Sequence, residues 1–170
     1  MNKLKGKAWV FGDNLDVDYE IIPYMKIRGK PVDELGQYCM TMVDSDFPTR
    51  VKKGDFIVAG SNMGCGHDHI YGPQAIKKCG IAAVIAKSFN RFFFRNLTHL
   101  GLPAIQCKDI RKKVKQGDEL EISLKNGKIK NIETGDVLNF TPIPHFLLDI
   151  INEGGLYPYL KKKIEEAELL

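Results

Sequence analysis

The stretch that decides the fold is Phe56-Ile57-Val58-Ala59-Gly60-Ser61-Asn62-Met63-Gly64-Cys65-Gly66-His67-Asp68-His69. Four apolar residues open it as a buried strand, and the polar, glycine-rich run that follows reads as a loop. Residues 72–79 then carry a helical pattern that closes at Gly80. Residues 81–86 (IAAVIA) form a second buried strand, and residues 89–100 a second helix ended by Gly101 and Pro103. Strand, glycine loop, helix, strand, helix is a βαβα signature whose short connections predict neighbouring parallel strands. Residues 55–107 are therefore the organising centre.

Upstream of this centre, residues 7–11 (KAWVF) read as a strand, Gly12-Asp13-Asn14 as a turn, and Ile21-Ile22 as an apolar pair stopped by Pro23. In residues 31–40, Val32, Leu35, Tyr38 and Cys39 predict a helix with Pro31 in its first turn. Downstream, residues 120–124, 128–132 and 137–140 are short alternating segments separated by Asn126-Gly127 and Gly135-Asp136, which predict hairpins. Residues 144–152 predict an amphipathic helix. Residues 156–170 predict a last helix whose Lys161-Lys162-Lys163 and Glu165-Glu166 mark a solvated face. The expected class is α/β: one domain over residues 1–170, with a mostly parallel sheet flanked by helices, hairpins over 118–140 and C-terminal helices over 144–170.

The chain has 170 residues, 44% hydrophobic and 27% charged, with a net charge of +4. That surplus is too small and too evenly spread for a nucleic-acid footprint. The apolar run 81–86 is far short of a membrane span, and the basic N-terminus lacks the apolar region of an export signal. Cys39, Cys65, Cys79 and Cys107 show no Cys-x-x-Cys pair, so a reducing cytoplasm is expected rather than a disulfide framework. Among 25 basic residues only five are Arg, so each Arg is a candidate for a specific carboxylate contact.

Chemistry is expected at Asn62 to His69. Gly64-Cys65-Gly66 between strand and helix predicts outward-facing backbone amides that form a nest for a carboxylate or phosphate. A dinucleotide fingerprint needs a third glycine in register and an acidic residue after the next strand, and here the strand 81–86 ends in Lys87. A metal held by Cys65, His67 and His69 is disfavoured, because alternate residues at a turn seldom converge on one ion. His67, beside Asp68 and His69, suits a general base, since imidazole titrates near neutral pH.

Order and spacing of these segments resemble the small-subunit family of isopropylmalate isomerases and homoaconitases, which corresponds to the swivelling domain of aconitase. The resemblance spans nearly the whole chain. It rests on Gly12-Asp13-Asn14-Leu15-Asp16-Val17-Asp18 with Ile21-Ile22-Pro23, on residues 54–60 leading into Asn62-Met63-Gly64-Cys65-Gly66, and on Ser88-Phe89-Asn90-Arg91, Phe94-Arg95-Asn96 and Gly101-Leu102-Pro103. It implies a swivelling β/β/α fold and a hydro-lyase half: a separate large catalytic subunit carries a [4Fe–4S] cluster, and this chain brings base and carboxylate contacts to a small hydroxy dicarboxylate. Leucine biosynthesis and a cytoplasmic heteromer follow, with no cofactor and no metal in this chain, no nucleic acid and no membrane, and self-association of the isolated chain allowed for.

The family pattern is Gly-x-Gly-Ser-Ser-Arg-Glu, with its first Ser as base and its Arg on a substrate carboxylate. His67, Asp68, His69 and Ile70 stand at the last four of these positions. The resemblance thus implies His67 and Asp68 as catalytic residues. Gly64, Cys65, Gly66 and His69 are implied in substrate binding, together with Arg95. The family's Tyr-Leu-Arg stretch, which reads the substrate's side group, aligns with Tyr24-Met25-Lys26, placing Tyr24 and Lys26 there too. Asp18 and Asn62 are expected in supporting roles. The substrate the resemblance implies is a small hydroxy dicarboxylate such as 3-isopropylmalate; the alternative, from the two positions that lack Arg, is a substrate of dimethylmalate, citramalate or maleate type. The alternative from another class is a non-catalytic binding or regulatory subunit.

Overall fold

The computed structural model describes residues 3–168. Its seven-stranded sheet has the order β4-β3-β2-β1-β5-β6-β7. The parallel half comprises β1 (Lys3–Val10), β2 (Phe56–Ala59), β3 (Ala83–Ala86) and β4 (Ala104–Gln106). The antiparallel half, β5 (Glu119–Ser123), β6 (Lys128–Asn131) and β7 (Val137–Asn139), is joined by the predicted turns. β1 links the halves, parallel to β2 and antiparallel to β5.

β1 begins earlier than residue 7, because Lys3 to Lys7 pair with Ser123 to Glu119, and Lys5 reaches diagonally across the ladder to Glu119 at 3.3 Å. β4, whose short apolar run Ala104-Ile105 carries no turn signal of its own, was not foreseen as a strand. Alternation along the central strands feeds two cores. Ile57, Ala59, Val84 and Ala86 face one, and Phe56, Val58, Ala83 and Ile85 the other.

Seven α-helical segments surround the sheet: α1 (Tyr24–Ile27), α2 (Phe47–Arg50), α3 (Tyr71–Lys78), α4 (Arg91–His99), α5 (Ile110–Lys113), α6 (His145–Asn152) and α7 (Leu156–Glu168). Asn90 caps α4 by accepting the amides of Phe92 and Phe93. The predicted helix over 31–40 is a 3-10 helix, Val32–Tyr38. Val32, Leu35 and Tyr38 recur every third residue, which suits three residues per turn better than 3.6. Residues 17–21, read only as an apolar pair before proline, form a π-turn, Val17–Ile21, with five-residue hydrogen bonds from Ile21 to Asp16 and from Ile22 to Val17. Trp9 packs edge-on against Phe47 and donates to Asp55 at 2.9 Å; Phe93 is buried, while Phe92 reaches the surface. Among the described residues no helix is long and apolar enough to cross a membrane.

β1, β2 and β3 all end at one edge of the sheet, where open α/β sheets place ligands. There the loop after β2 runs between two neighbours as a short rib. It bridges Asp16 through Cys65 and Phe89 through Met63, both in parallel sense.

Candidate active site

The glycine loop docks on the residues before the π-turn. The amides of Gly64 and Cys65 both donate to the Leu15 carbonyl, at 2.9 and 3.1 Å, and the Cys65 carbonyl accepts from Val17. The expected nest at Gly64 and Cys65 is therefore absent, since its donors are already used. Burial, then the carboxylates of Asp16 and Glu20, push the Cys65 thiol up, and Sγ lies 3.2 Å from the Asn14 carbonyl. The donors without an acceptor lie further on: among the described residues the amides of Gly66, His67, Asp68, His69 and Ile70 bond nothing in the chain.

Two glycines are fixed by geometry. Gly64 has φ +75, and a Cβ there would meet Phe93 Cγ at 2.0 Å; Gly66 has φ +84, and a Cβ would meet Asp16 Oδ2 at 2.1 Å. The space left at Gly66 admits Asp16, whose carboxylate caps the π-turn by accepting the amides of Asp18 and Tyr19. Asp16 in turn donates its amide to Glu20 Oε2 at 2.7 Å. This local structure places Asp18, with 7% of its surface exposed, beneath the loop.

Asp18 brings the two histidines together. Its carboxylate lies 3.0 Å from Nδ1 of His67 and 3.0 Å from Nδ1 of His69. His69 Nδ1 is in hydrogen-bond geometry with both carboxylate oxygens and His67 Nδ1 stands at ion-pair distance, which leaves Nε2 as the second nitrogen of each ring. The rings stack: His67 on His69 with centroids 5.4 Å apart, and Tyr24 on the other side of His69 at 4.8 Å. Tyr71 closes on both Tyr24 and His69, at 5.9 and 6.2 Å. The two left-handed glycines, Gly64 and Gly66, lie just before the histidines that meet at this carboxylate.

The other predicted residues separate into those near this stack and those away from it. Asp68 is exposed and its side chain meets no partner among the described residues; its carbonyl accepts from Asn96 Nδ2 at 3.1 Å. Asn62 buttresses the loop by donating to Asn14 Oδ1 at 3.1 Å and receiving support at its own amide from Ser88 Oγ. Lys26 and Arg95 are exposed on α1 and α4 and touch neither histidine. Asn96, which with Arg95 is expected to reach the pocket from the next strand-helix junction, does meet the loop. Sequence reasoning missed Tyr71, which sits two residues after His69 and was in reach of a spacing argument.

The histidine stack opens to solvent. A cavity of about 910 Å3 lies instead between β4, β7 and α6, with Thr98, Cys107 and Asn139 in its wall. Among the described residues no three His, Cys, Asp or Glu side chains are placed to hold a metal ion.

Residues 14–110 match the Aconitase C-terminal domain family. A protein of Methanocaldococcus jannaschii named isopropylmalate/citramalate isomerase small subunit is 48% identical over 165 residues, 97% of this chain and 98% of its own. The 3-isopropylmalate dehydratase small subunit of Thermodesulfovibrio yellowstonii is 43% identical over 167 residues, covering 98% and 99%. A crystal structure of 3-isopropylmalate dehydratase from Methanocaldococcus jannaschii superposes with a TM-score of 0.90 at 40% identity, covering 99% of each chain. Aconitase X of Thermococcus kodakaraensis shares the fold alone, at 14% identity and a TM-score of 0.50 over 82% of this chain and 90% of its own. The chain belongs to the Aconitase C-terminal domain family and, within it, to the 3-isopropylmalate dehydratase small subunits.

Proposed function

We propose that the chain works in the cytoplasm as the small subunit of a two-subunit hydro-lyase that moves the hydroxyl of a small hydroxy dicarboxylate by dehydration and rehydration. The observation that carries this reading is the shared Asp18 carboxylate, which lies 3.0 Å from Nδ1 of each of two imidazoles at the ligand edge of the sheet. Forming the enoate requires a proton to leave the carbon beside a carboxylate while hydroxide leaves its neighbour. His67, with an Nε2 lone pair, takes that proton and returns it. His69, as imidazolium paired with Asp18, offers Nε2–H to a substrate carboxylate, and the free amides of residues 66–70 add donors for it. Tyr24, stacked on His69, holds that ring and carries the loop with Lys26 to the rim.

This chain's residues do not fit an iron-sulfur cluster: Cys65 is bonded to Asn14 and the other cysteines lie elsewhere. We place a [4Fe–4S] cluster on the large subunit, where it would polarise the leaving hydroxyl. A partner is also favoured by the exposed apolar side chains of Tyr19, Met25 and Ile70, from the segments that carry Asp18, Tyr24 and His69.

A second substrate reading stays within the same chemistry. Lys26 and His69 stand where the resembling family has Arg, and the relative from Methanocaldococcus jannaschii is named for citramalate as well as isopropylmalate. The reconstituted two-subunit complex is to be offered 3-isopropylmalate, citramalate, dimethylmalate and maleate while enoate absorbance is followed. Turnover of at least one is expected, and turnover of none refutes the hydro-lyase reading.

A further inference from the structure

Cys39 and Cys79 are far apart in the chain and outside the candidate active site, yet the fold packs Cys79 against the apolar cluster that contains Cys39. Cys39 follows the 3-10 helix and is fully buried, whereas Cys79 caps α3 and is half-buried. Gly36 brings the two ends together: a Cβ on it would sit 3.0 Å from the Cys79 nitrogen, and its carbonyl accepts from the Cys39 amide. Met40, next to Cys39, donates at 2.8 Å to Ile21, the last residue of the π-turn that carries Asp18. The thiol pair therefore joins the element that holds Asp18 to the helix that follows the histidines.

The two thiols are unequal. The hydrogen bond with Cys39 lowers the Cys79 thiol below its ordinary range, while burial pushes Cys39 well up. Burial is also the main cause that raises Cys65 and Cys107. An accessible, more acidic thiol beside a buried one that stays protonated matches an attacking and a resolving cysteine.

We propose that Cys39 and Cys79 form a peroxide-responsive modification site that closes into a disulfide. The Cys79 thiolate attacks one oxygen of hydrogen peroxide. The O–O bond breaks, hydroxide leaves and is protonated to water, and Cys79 becomes a sulfenic acid. The Cys39 sulfur then attacks the Cys79 sulfur: an S–S bond forms, the S–O bond breaks, and the departing hydroxide takes the thiol proton as a second water. Two thiols lose two electrons and one peroxide gains them.

The test treats the full-length, reduced chain with equimolar hydrogen peroxide, then alkylates it with N-ethylmaleimide under denaturing conditions and maps peptides without reductant. Free thiols are expected to fall from the four of the reduced chain to two, with a cross-linked Cys39–Cys79 peptide, and dithiothreitol should restore all four. Cys65→Ser should leave the cross-link intact, and Cys39→Ser should stop Cys79 at a sulfenic acid that dimedone traps. Four surviving thiols, thiol loss without that peptide, or a cross-link to Cys65 or Cys107 would overturn the proposal.

Discussion

Replacing Asp18 by Asn tests the centre of the catalytic reading. The carboxylate, 7% exposed, lies 3.0 Å from the Nδ1 atoms of both rings. A carboxamide of the same shape has one oxygen and one NH2, so it can accept from one imidazole but must donate to the other. The second ring is then driven to the opposite tautomer, with its hydrogen on Nε2 and no lone pair facing the substrate. If that ring is His67, the base is lost outright; if it is His69, the imidazolium loses its counter-charge. General acid–base groups are worth about 10²–10⁴ in rate, so kcat of the reconstituted complex should fall by that factor, roughly 3–5 kcal/mol of barrier. Folding should hold, because the amide fills the same space. Long-range 1H–15N spectra of the isolated chain would read the tautomers of His67 and His69 directly, and one of them should change. A variant that shows the changed tautomer yet keeps kcat within about threefold, under roughly 0.7 kcal/mol, would refute the reasoning.

Three further outcomes are expected. His67→Ala should lower kcat by about 10²–10⁴ with the fold intact, and unchanged turnover would remove His67 as the base. Gly64→Ala combines left-handed strain with a Cβ 2.0 Å from Phe93 Cγ, so urea denaturation should show a loss of about 2–5 kcal/mol. Asn131→Ala should cost about 2–4 kcal/mol and lower Tm by roughly 4–16 °C. The fully buried amide of Asn131 donates to Lys113 and Asp118 and accepts from Glu133 and Thr134, leaving those groups unpaired when it is removed.

β2 and β3 of the parallel half were legible because they are short, apolar and bounded by glycines, and the hairpins because Asn126-Gly127 and Gly135-Asp136 name their own turns. What escaped was set by tertiary contact. The 3-10 helix was read as α because apolar residues at 32, 35 and 38 fit either coil, although their strict three-residue recurrence suits the narrower one. The anion nest was misplaced because a Gly-x-Gly spacing says nothing of where its amides point, and here Leu15 takes them. The resemblance put Asp18 in a support role but could not say that one carboxylate serves two rings. Cys39 and Cys79 gave no signal at all, since no local spacing relates them. Lys26 and Arg95 remain expectations: both are exposed and reach no site residue in this chain alone.

The loop that departs from the family pattern is also the loop that shapes its own support. Gly66 leaves room for Asp16, Asp16 caps the turn, and the turn delivers Asp18 to the residues that follow Gly66. A buried carboxylate with two free oxygens is suited to a guanidinium fork, which would bind it through two parallel N–H groups. It is equally suited to two imidazoles that each offer one Nδ1–H. The same carboxylate could therefore accommodate either an Arg at position 69 or a histidine pair at 67 and 69 without rebuilding the turn. The functional consequence differs. A guanidinium keeps its charge whatever the base beside it does. On the proposed roles two rings share one carboxylate, so a substitution at either ring alters the support of the other, and base and carboxylate contact cannot be changed independently.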